Sequence, residues 1–440
     1  MNKALSSTAL VALVGFLGFI KPQAVAAQLA DASATTLGLS GNNTATVRGF
    51  GAISVNPAGL AMSGSGFSLA LFPTQIRSGL DPIRLADLRD VQRIMIPEAT
   101  KEDWLARVTT EGGQTGSLGI DISEVAFTSG NLGFQLSTLV VGAFSLSPGV
   151  VEGLLYGNAG RTGSPTSLDL ANTSLEGFAI STAGLAIGIP IPSSSGDIAV
   201  GVTAKYSIGH DVLVGHSIGG SIQDNPITVD LDFPTVETSN GYIRDLISTG
   251  LAWKAPSFNG GGVGIDLGLM VQRDRVSFGA SVLNVINTFS WDESKLRYRP
   301  GTASFELGES DSNFDQMPYE LAPDSLRTLI SEMAFNPSIR AGVALDLTRE
   351  LTVSGDLHNR FSGQGIGLPP KFHLGLGAEF RGISVLHMRS GVALITDGIQ
   401  YGGGASLILG PVNISVAGAL QTGALRKKAL GQFTLSFWNR

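Results

Sequence analysis

Few residues in this 440-residue chain have the types and spacing for chemistry. Gly215-His216-Ser217-Ile218-Gly219 has the pattern of a nucleophile elbow, which would present the Ser217 hydroxyl for acyl transfer. A chain with 58 glycines and 45 serines gives roughly 0.8 such matches by composition alone. This match lies in a glycine-rich stretch, not between a buried strand and a helix, so no enzyme is expected. The five histidines (His210, His216, His358, His373 and His387) show neither HxH nor HExxH spacing, so no metal site is expected. Gly260-Gly261-Gly262 and Gly402-Gly403-Gly404 lack the lysine and following helix of a phosphate loop and read as turns or kinks. With no cysteine, a disulfide framework, a thiolate zinc site, an iron–sulfur cluster and a cysteine nucleophile are all excluded. No cofactor is expected.

What remains is a set of charged residues, and their setting is more informative than their types. Arg340, Asp346, Asp356, His358, His373 and Glu379 all fall in stretches where apolar residues recur at every second position, the period of a strand. Ile339, Ala341, Val343, Leu345 and Leu347 alternate with Arg340, Gly342, Ala344 and Asp346. Phe372, Leu374, Leu376, Ala378 and Phe380 alternate with His373, Gly375, Gly377 and Glu379. The apolar faces carry no charge. The other faces are rich in Gly, Ser and Ala, which suits a lumen better than the bulky core of a sandwich. The six charged residues are expected to point inward, as an internal salt-bridge and hydrogen-bond network or in direct contact with a solute.

The connections point the same way. Arg273-Asp274-Arg275, Thr348-Arg349-Glu350, Arg381-Gly382 and Gly410-Pro411 read as tight polar turns. Between the hairpins lie longer segments at His210 to Ile247, Ile286 to Pro337 and Asn359 to Pro370. Short turns on one side and long loops on the other are the asymmetry of an outer-membrane barrel. A sheet can cross hydrocarbon only by closing, because every backbone N–H and C=O must be paired within the protein. The expected fold is all-β, an antiparallel transmembrane barrel of about 14 strands with short helical inserts.

The N-terminus fits export to the outer membrane of a diderm bacterium. Lys3, an apolar run from Thr8 to Ile20 and the small residues Val25-Ala26-Ala27 read as a signal peptide over 1–27. No later run reaches the 18 or so apolar residues of a spanning helix. A formal charge of −7 with no basic run excludes a nucleic-acid partner. The first long strand is expected at Gly66 to Phe72, so 66–440 is left as the barrel and 28–65 as the segment ahead of it. Residues 82–108 carry apolar positions at helical spacing and read as two short helices, in an outer loop or inside the barrel. Thr100 and Asp103 resemble a capping box there. Within the long loop 286–337, Pro323 to Phe335 is helical in pattern and reads as a second lid. The last strand places Phe433, Leu435 and Phe437 on one face, resembling the signal read by barrel-assembly machinery, except that Asn439 and Arg440 follow.

Gly51-Ala52-Ile53-Ser54-Val55-Asn56-Pro57-Ala58-Gly59-Leu60-Ala61 resembles the Asn-Pro-Ala segment of FadL-like outer-membrane proteins. His373 to Phe380 with Met388-Arg389-Ser390-Gly391 is similar to paired strands of PorV-like members, and Ser277 to Asn284 with Trp291 resembles a family hairpin end. The resemblance implies a monomeric 14-stranded barrel whose N-terminal hatch, with Asn56, Pro57, Ala58 and Gly59, plugs the lumen. It leaves function divided. FadL relatives pass fatty acids or aromatic hydrocarbons through a kink in the wall, whereas PorV-like relatives serve protein secretion as shuttles or scaffolds. Passage of hydrophobic small molecules is the first expectation, and a non-conducting barrel partnering secretion components is the alternative. Lipid is a partner under either. Along the chain no cluster of basic residues is evident that would clamp a carboxylate, so a fatty-acid substrate is not carried over.

Overall fold

Fourteen long strands follow one another, each antiparallel to the last, and the fourteenth returns to the first. They are β1 (Phe67–Asp81), β2 (Gln114–Ser129), β3 (Leu132–Leu146), β4 (Ser174–Ile191), β5 (Asp197–His216), β6 (Gly260–Arg273) and β7 (Val276–Asn287). The second half comprises β8 (Ser338–Asp346), β9 (Leu351–Arg360), β10 (Phe372–Ile383), β11 (Leu386–Ile395), β12 (Gly398–Leu409), β13 (Val412–Thr422) and β14 (Lys427–Asn439). β14 pairs with β1 from Phe67 opposite Asn439 to Gly79 opposite Lys428, which closes the cylinder. The computed structural model describes residues 29–157, 160–163, 167–194, 196–224, 227–240, 257–306, 309–332, 336–361, 370–396, 398–423 and 427–439. The expected signal peptide and most of the expected loop at 359–370 lie outside them.

The alternation fixes which face is which. Leu374, Leu376, Val392 and Leu394 are exposed on the outer surface, where Leu376 pairs with Val392. Their neighbours His373, Gly375 and Gly377 are buried on the inner one. Similar exposed Leu, Ile, Val and Phe side chains recur on the other strands. An apolar outer band over fully paired backbone is what hydrocarbon requires. No helix among the described residues is long and apolar enough to cross a membrane.

Two-residue turns at 130–131, 274–275, 384–385 and 410–411 lie at the end that also holds the start of β1 and the end of β14. The connections that follow β1, β3, β5 and β7 leave from the opposite end and are long in sequence, whereas those after β11 and β13 are short. The loop expected from His210 begins later than the sequence indicates. β5 runs on to His216, because an extra residue at His210 shifts its pairing with β4 and returns Val212 and Val214 to the lumen side.

Ahead of β1, residues 29–65 fold into the lumen as short helical turns, including α1 (Ala34–Gly38) and α2 (Ala52–Val55). Leu29, Val47, Phe50, Ile53, Val55, Leu60 and Met62 form an apolar cluster inside the barrel. Phe50 also packs against Trp438 of the last strand, with ring centroids 5.5 Å apart.

The insert between β1 and β2 holds α3 (Leu85–Asp90) and α4 (Glu98–Glu111). Trp104 and Val108 of α4 pack on Val151 of α5 (Pro148–Tyr156), from the next long loop, and on Ile83. The helices therefore belong to the loop layer, not the lumen. α4 starts before the expected capping box: Pro97 is its N-cap, and Asp103 instead pairs with Arg107 one turn on, at 3.1 Å. α6 (Asp324–Glu332) forms where the pattern predicts a helix.

Candidate functional site

The plug is built into the wall. Asn56 caps the short turn Pro57–Ala61 by accepting from the Ala58 N–H at 3.3 Å. Its Nδ2 donates to the Thr44 carbonyl at 3.0 Å and to the Leu269 carbonyl of β6 at 3.1 Å. One buried amide thus ties two plug segments to one strand. Pro57 at the first position of the turn needs no hydrogen bond there. Around the circumference, Gln135 of β3 donates to Ala30 O at 2.6 Å, Thr203 of β5 to Ile53 O at 3.0 Å and Ser281 of β7 to Val55 O at 2.8 Å. Ser354 of β9 donates to Asn42 O at 2.5 Å, and Thr434 of β14 to Ala32 O at 3.1 Å. Glycines make this approach possible. A Cβ on Gly268 would lie 2.9 Å from Ala58 N and closer still to Asn56 Oδ1, and one on Gly279 would lie 2.7 Å from Ala45 Cα. The glycine-rich inner face is a mould for the plug.

Asn56, Pro57, Ala58 and Gly59 do not line the lumen cavity; they anchor the plug beneath it. That cavity measures about 210 Å³. The plug supplies its floor through Leu29, Ala30, Asp31, Leu37 and Ser40, and the strands supply the walls. At the outer end Phe289, Trp291, Leu296, Tyr319, Leu326 and Ile330 from the loop between β7 and β8 pack on Phe178, Ile180, Val212 and Val214. This apolar cluster, with α6 in it, fixes the loop expected to act as a lid onto the inner faces of β4 and β5.

Register brings three of the six inward charges abreast. Arg340 on β8 lies opposite His358 on β9, and His358 lies opposite His373 on β10. All three line the cavity. The two imidazoles stack with centroids 4.3 Å apart and planes 9° from parallel. His358 Nε2 meets Asp356 Oδ2 at 3.1 Å, and that oxygen also accepts the Thr44 N–H at 2.9 Å. His373 Nε2 meets Asn42 Oδ1 at 3.0 Å. Asp346 and Glu379 lie nearer the short-turn end and outside the cavity. Asp346 accepts from Thr352 at 2.5 Å, and Glu379 pairs with Arg389 at 2.8 Å.

Other basic groups in the chamber are invisible as a cluster along the chain. Arg77 of β1, Arg360 of β9 and Lys428 of β14 join Arg340 there. Arg77 is held by Asp121 at 2.7 Å. Arg360 is not held: its buried Nε and Nη1 have no hydrogen-bond partner among the described residues. Among the described residues, four cationic side chains and the carboxylates Asp31 and Asp121 line the chamber, with Asp356 behind His358. Burial pushes the Asp31 carboxyl up to about 6, despite bonds from Ser33 and Thr36 and the charge of Arg340. Leu139, Val141 and Leu283 add apolar lining beside these charges: Leu283 pairs with Ser338, which in turn pairs with Arg360.

A second buried cluster also escapes sequence reading. Lys205 Nζ of β5 donates to Asp266 Oδ1 of β6 at 2.6 Å and to Asn284 Oδ1 of β7 at 2.5 Å. Asn284 has φ +59°, within a wall irregularity where pairing jumps from Leu267–Val282 to Ile265–Ile286. The one available signal was a lone lysine on an inner face otherwise made of Ala199, Gly201, Thr203 and Ser207. Elsewhere, Ser217 Oγ donates to the Gly219 carbonyl at 2.9 Å, with no histidine among its hydrogen-bond partners. Gly260 to Gly262 begin β6, and Gly402 to Gly404 lie within β12.

A closed 14-stranded barrel with a helical N-terminal plug is the fold of a FadL-like outer-membrane barrel. The chain is similar in structure to the TodX deltaS2S3 mutant monoaromatic hydrocarbon channel, with 10% identity over 92% of this chain and 98% of that one, at a TM-score of 0.51. It also matches the Ralstonia pickettii toluene transporter TbuX, with 12% identity, 92% and 97% coverage and a TM-score of 0.46. A Pseudomonas aeruginosa FadL homologue matches with 10% identity, 94% and 99% coverage and a TM-score of 0.44. At such identities the likeness is one of fold. By sequence the chain belongs to the family of unknown function DUF5723, which matches residues 67–417. No curated protein matches the sequence.

Proposed function

We propose that this barrel sits in the outer membrane of a diderm bacterium and takes up hydrophobic small molecules that carry an acidic group. The observation that carries the reading is the chamber above the plug, where Leu139, Val141 and Leu283 supply apolar lining and the buried Nε and Nη1 of Arg360 have no hydrogen-bond partner among the described residues. A buried guanidinium without hydrogen bonds is costly, and a carboxylate or phosphate would satisfy it in a bidentate way. Leu283 and Asn284 line the chamber at the wall irregularity, so a sideways exit there is the route that leaves the plug in place. The neighbours' printed descriptions as hydrocarbon channels agree with an apolar cargo.

The test is binding and uptake in liposomes of purified barrel, using a fluorescent long-chain carboxylate and its neutral alcohol analogue. Acid is expected to bind more tightly than alcohol. Arg360→Gln should weaken acid binding about tenfold, the worth of one charge-assisted hydrogen bond, and leave the alcohol unchanged. No hydrophobic uptake and no co-purified lipid would refute the reading. A second reading, a non-conducting barrel that serves a secretion or envelope complex, is favoured by the many hydrogen bonds that tie the plug to the wall. It predicts no uptake even when the plug, residues 28–65, is deleted.

A further inference from the structure

The loop layer leaves one apolar segment uncovered. Between the end of β1 and α4, residues 84–96 contain six large apolar side chains. Val91 and Ile96 turn toward the small core of Ile83, Trp104, Val108 and Val151. Leu85, Leu88, Ile94 and Met95 do not; they are exposed, Met95 by 90%. Arg93 adopts φ +65°, which interrupts helical continuation between the two apolar pairs. A non-glycine residue rarely adopts that conformation, and a water-facing loop gains nothing by holding Ile94 and Met95 outside its core.

We propose that residues 84–96 lie as an amphipathic wedge in the outer leaflet of the membrane that the barrel spans. Leu85, Leu88, Ile94 and Met95 enter the acyl boundary, and Arg89 and Arg93 meet anionic headgroups. The inference rests on the outer-membrane reading and commits to lipid for two reasons. First, the segment continues an existing lipid surface. β1 presents Ile76 outward beside Leu118 of β2, and Leu85 follows the outer end of β1 by only four residues. Four residues span at most about 14 Å, so Leu85 starts the segment at the rim of the band. Second, its charge is complementary to lipid. Arg89 and Arg93 are exposed between the apolar pairs, and with Arg84 they outnumber Asp87 and Asp90 in a chain whose formal charge is −7. Basic residues beside apolar ones on a short helix are the pattern of interfacial anchoring.

The absence of native cysteine gives a clean experiment. Met95→Cys, Leu376→Cys on the outer face of β10 and Glu102→Cys on the exposed side of α4 are each labelled with a fluorophore. Folded barrels are reconstituted in vesicles of phosphatidylethanolamine and phosphatidylglycerol. Quenching is measured with iodide in water and with nitroxide on the lipid chains. The Met95 label is expected to behave like Leu376, shielded from iodide and quenched by lipid, at a depth of about 5–10 Å. The Glu102 label should remain open to iodide. Replacing phosphatidylglycerol by a zwitterionic lipid, or Arg89→Glu with Arg93→Glu, should raise iodide access at Met95 several-fold and leave Leu376 unchanged. Iodide access at Met95 equal to that at Glu102, with Leu376 lipid-quenched, overturns the wedge and leaves the barrel in its membrane. Shielding of Met95 from both quenchers overturns it in favour of a protein partner. Iodide access at Leu376 as well means that the outer-membrane reading itself has failed, and the wedge with it.

Discussion

If the glycine-lined wall is a mould for the plug, one added methyl should unseat the plug and leave the barrel standing. Gly268→Ala is the sharpest form of this perturbation. Its Cβ would lie 2.9 Å from Ala58 N and nearer still to Asn56 Oδ1, so Asn56 must move. That side chain makes three hydrogen bonds, to Ala58 N, Thr44 O and Leu269 O. Overpacking alone costs about 1–3 kcal/mol, and each weakened hydrogen bond adds about 0.5–1.5 kcal/mol. A middle value of about 3 kcal/mol shifts the ratio of displaced to seated plug by about 150-fold. The fourteen-strand ladder does not depend on Asn56, so folded mobility on unheated gels should survive. Ion conductance across planar bilayers and protease cleavage within 29–65 should both rise. Gly431→Ala is the control, because a methyl there meets nothing within 4 Å. Asn56→Ala removes the same ties without overpacking and should act in the same direction. Wild-type conductance and protease resistance in both Gly268→Ala and Asn56→Ala would refute the argument.

Two further outcomes follow from buried charge. Lys205→Met leaves Asp266, only 2% exposed, without its cation, and should cost about 3–5 kcal/mol in unfolding from detergent. Adding Asp266→Leu should recover most of that loss, and a single variant as stable as wild type would show that the pair is not needed. Asp31 holds its proton up to about pH 6, against an ordinary value of 3.8. The folded state therefore binds the extra proton, so its contribution to stability is full below pH 3.8 and is lost as pH rises through 6. Asp31→Asn should remove this slope and be the more protease-resistant form at pH 7; an unchanged slope would contradict the assignment.

Much of the architecture was legible along the chain. Period-two alternation in stretches such as Ile339–Leu347 and Phe372–Phe380 needs only strand geometry to separate a lipid face from a lumen face. The turns at Asp274-Arg275 and Gly410-Pro411 follow from local chemistry. The helical pattern of 323–335 marks α6, although nothing along the chain indicates which surface it packs on. Strand ends were less legible. The extra residue at His210 keeps β5 going to His216, and a bulge has no compositional signature.

The site was legible only in part, and the reason is geometric. Alternation told which way Arg340, His358 and His373 point, because facing is a local property of a strand. It could not tell that Arg77, Arg360 and Lys428 share a chamber with Arg340, since β1 and β14 meet only when the cylinder closes. Likewise Asn56 was marked by its neighbours Pro57 and Ala58, but its role as a clamp on Leu269, 213 residues away, comes from the plug's position inside the wall. Sequence determined the period, the faces and the turns, which depend on residues within reach of one another along the backbone. Closure of the sheet decided which distant charges share one small volume.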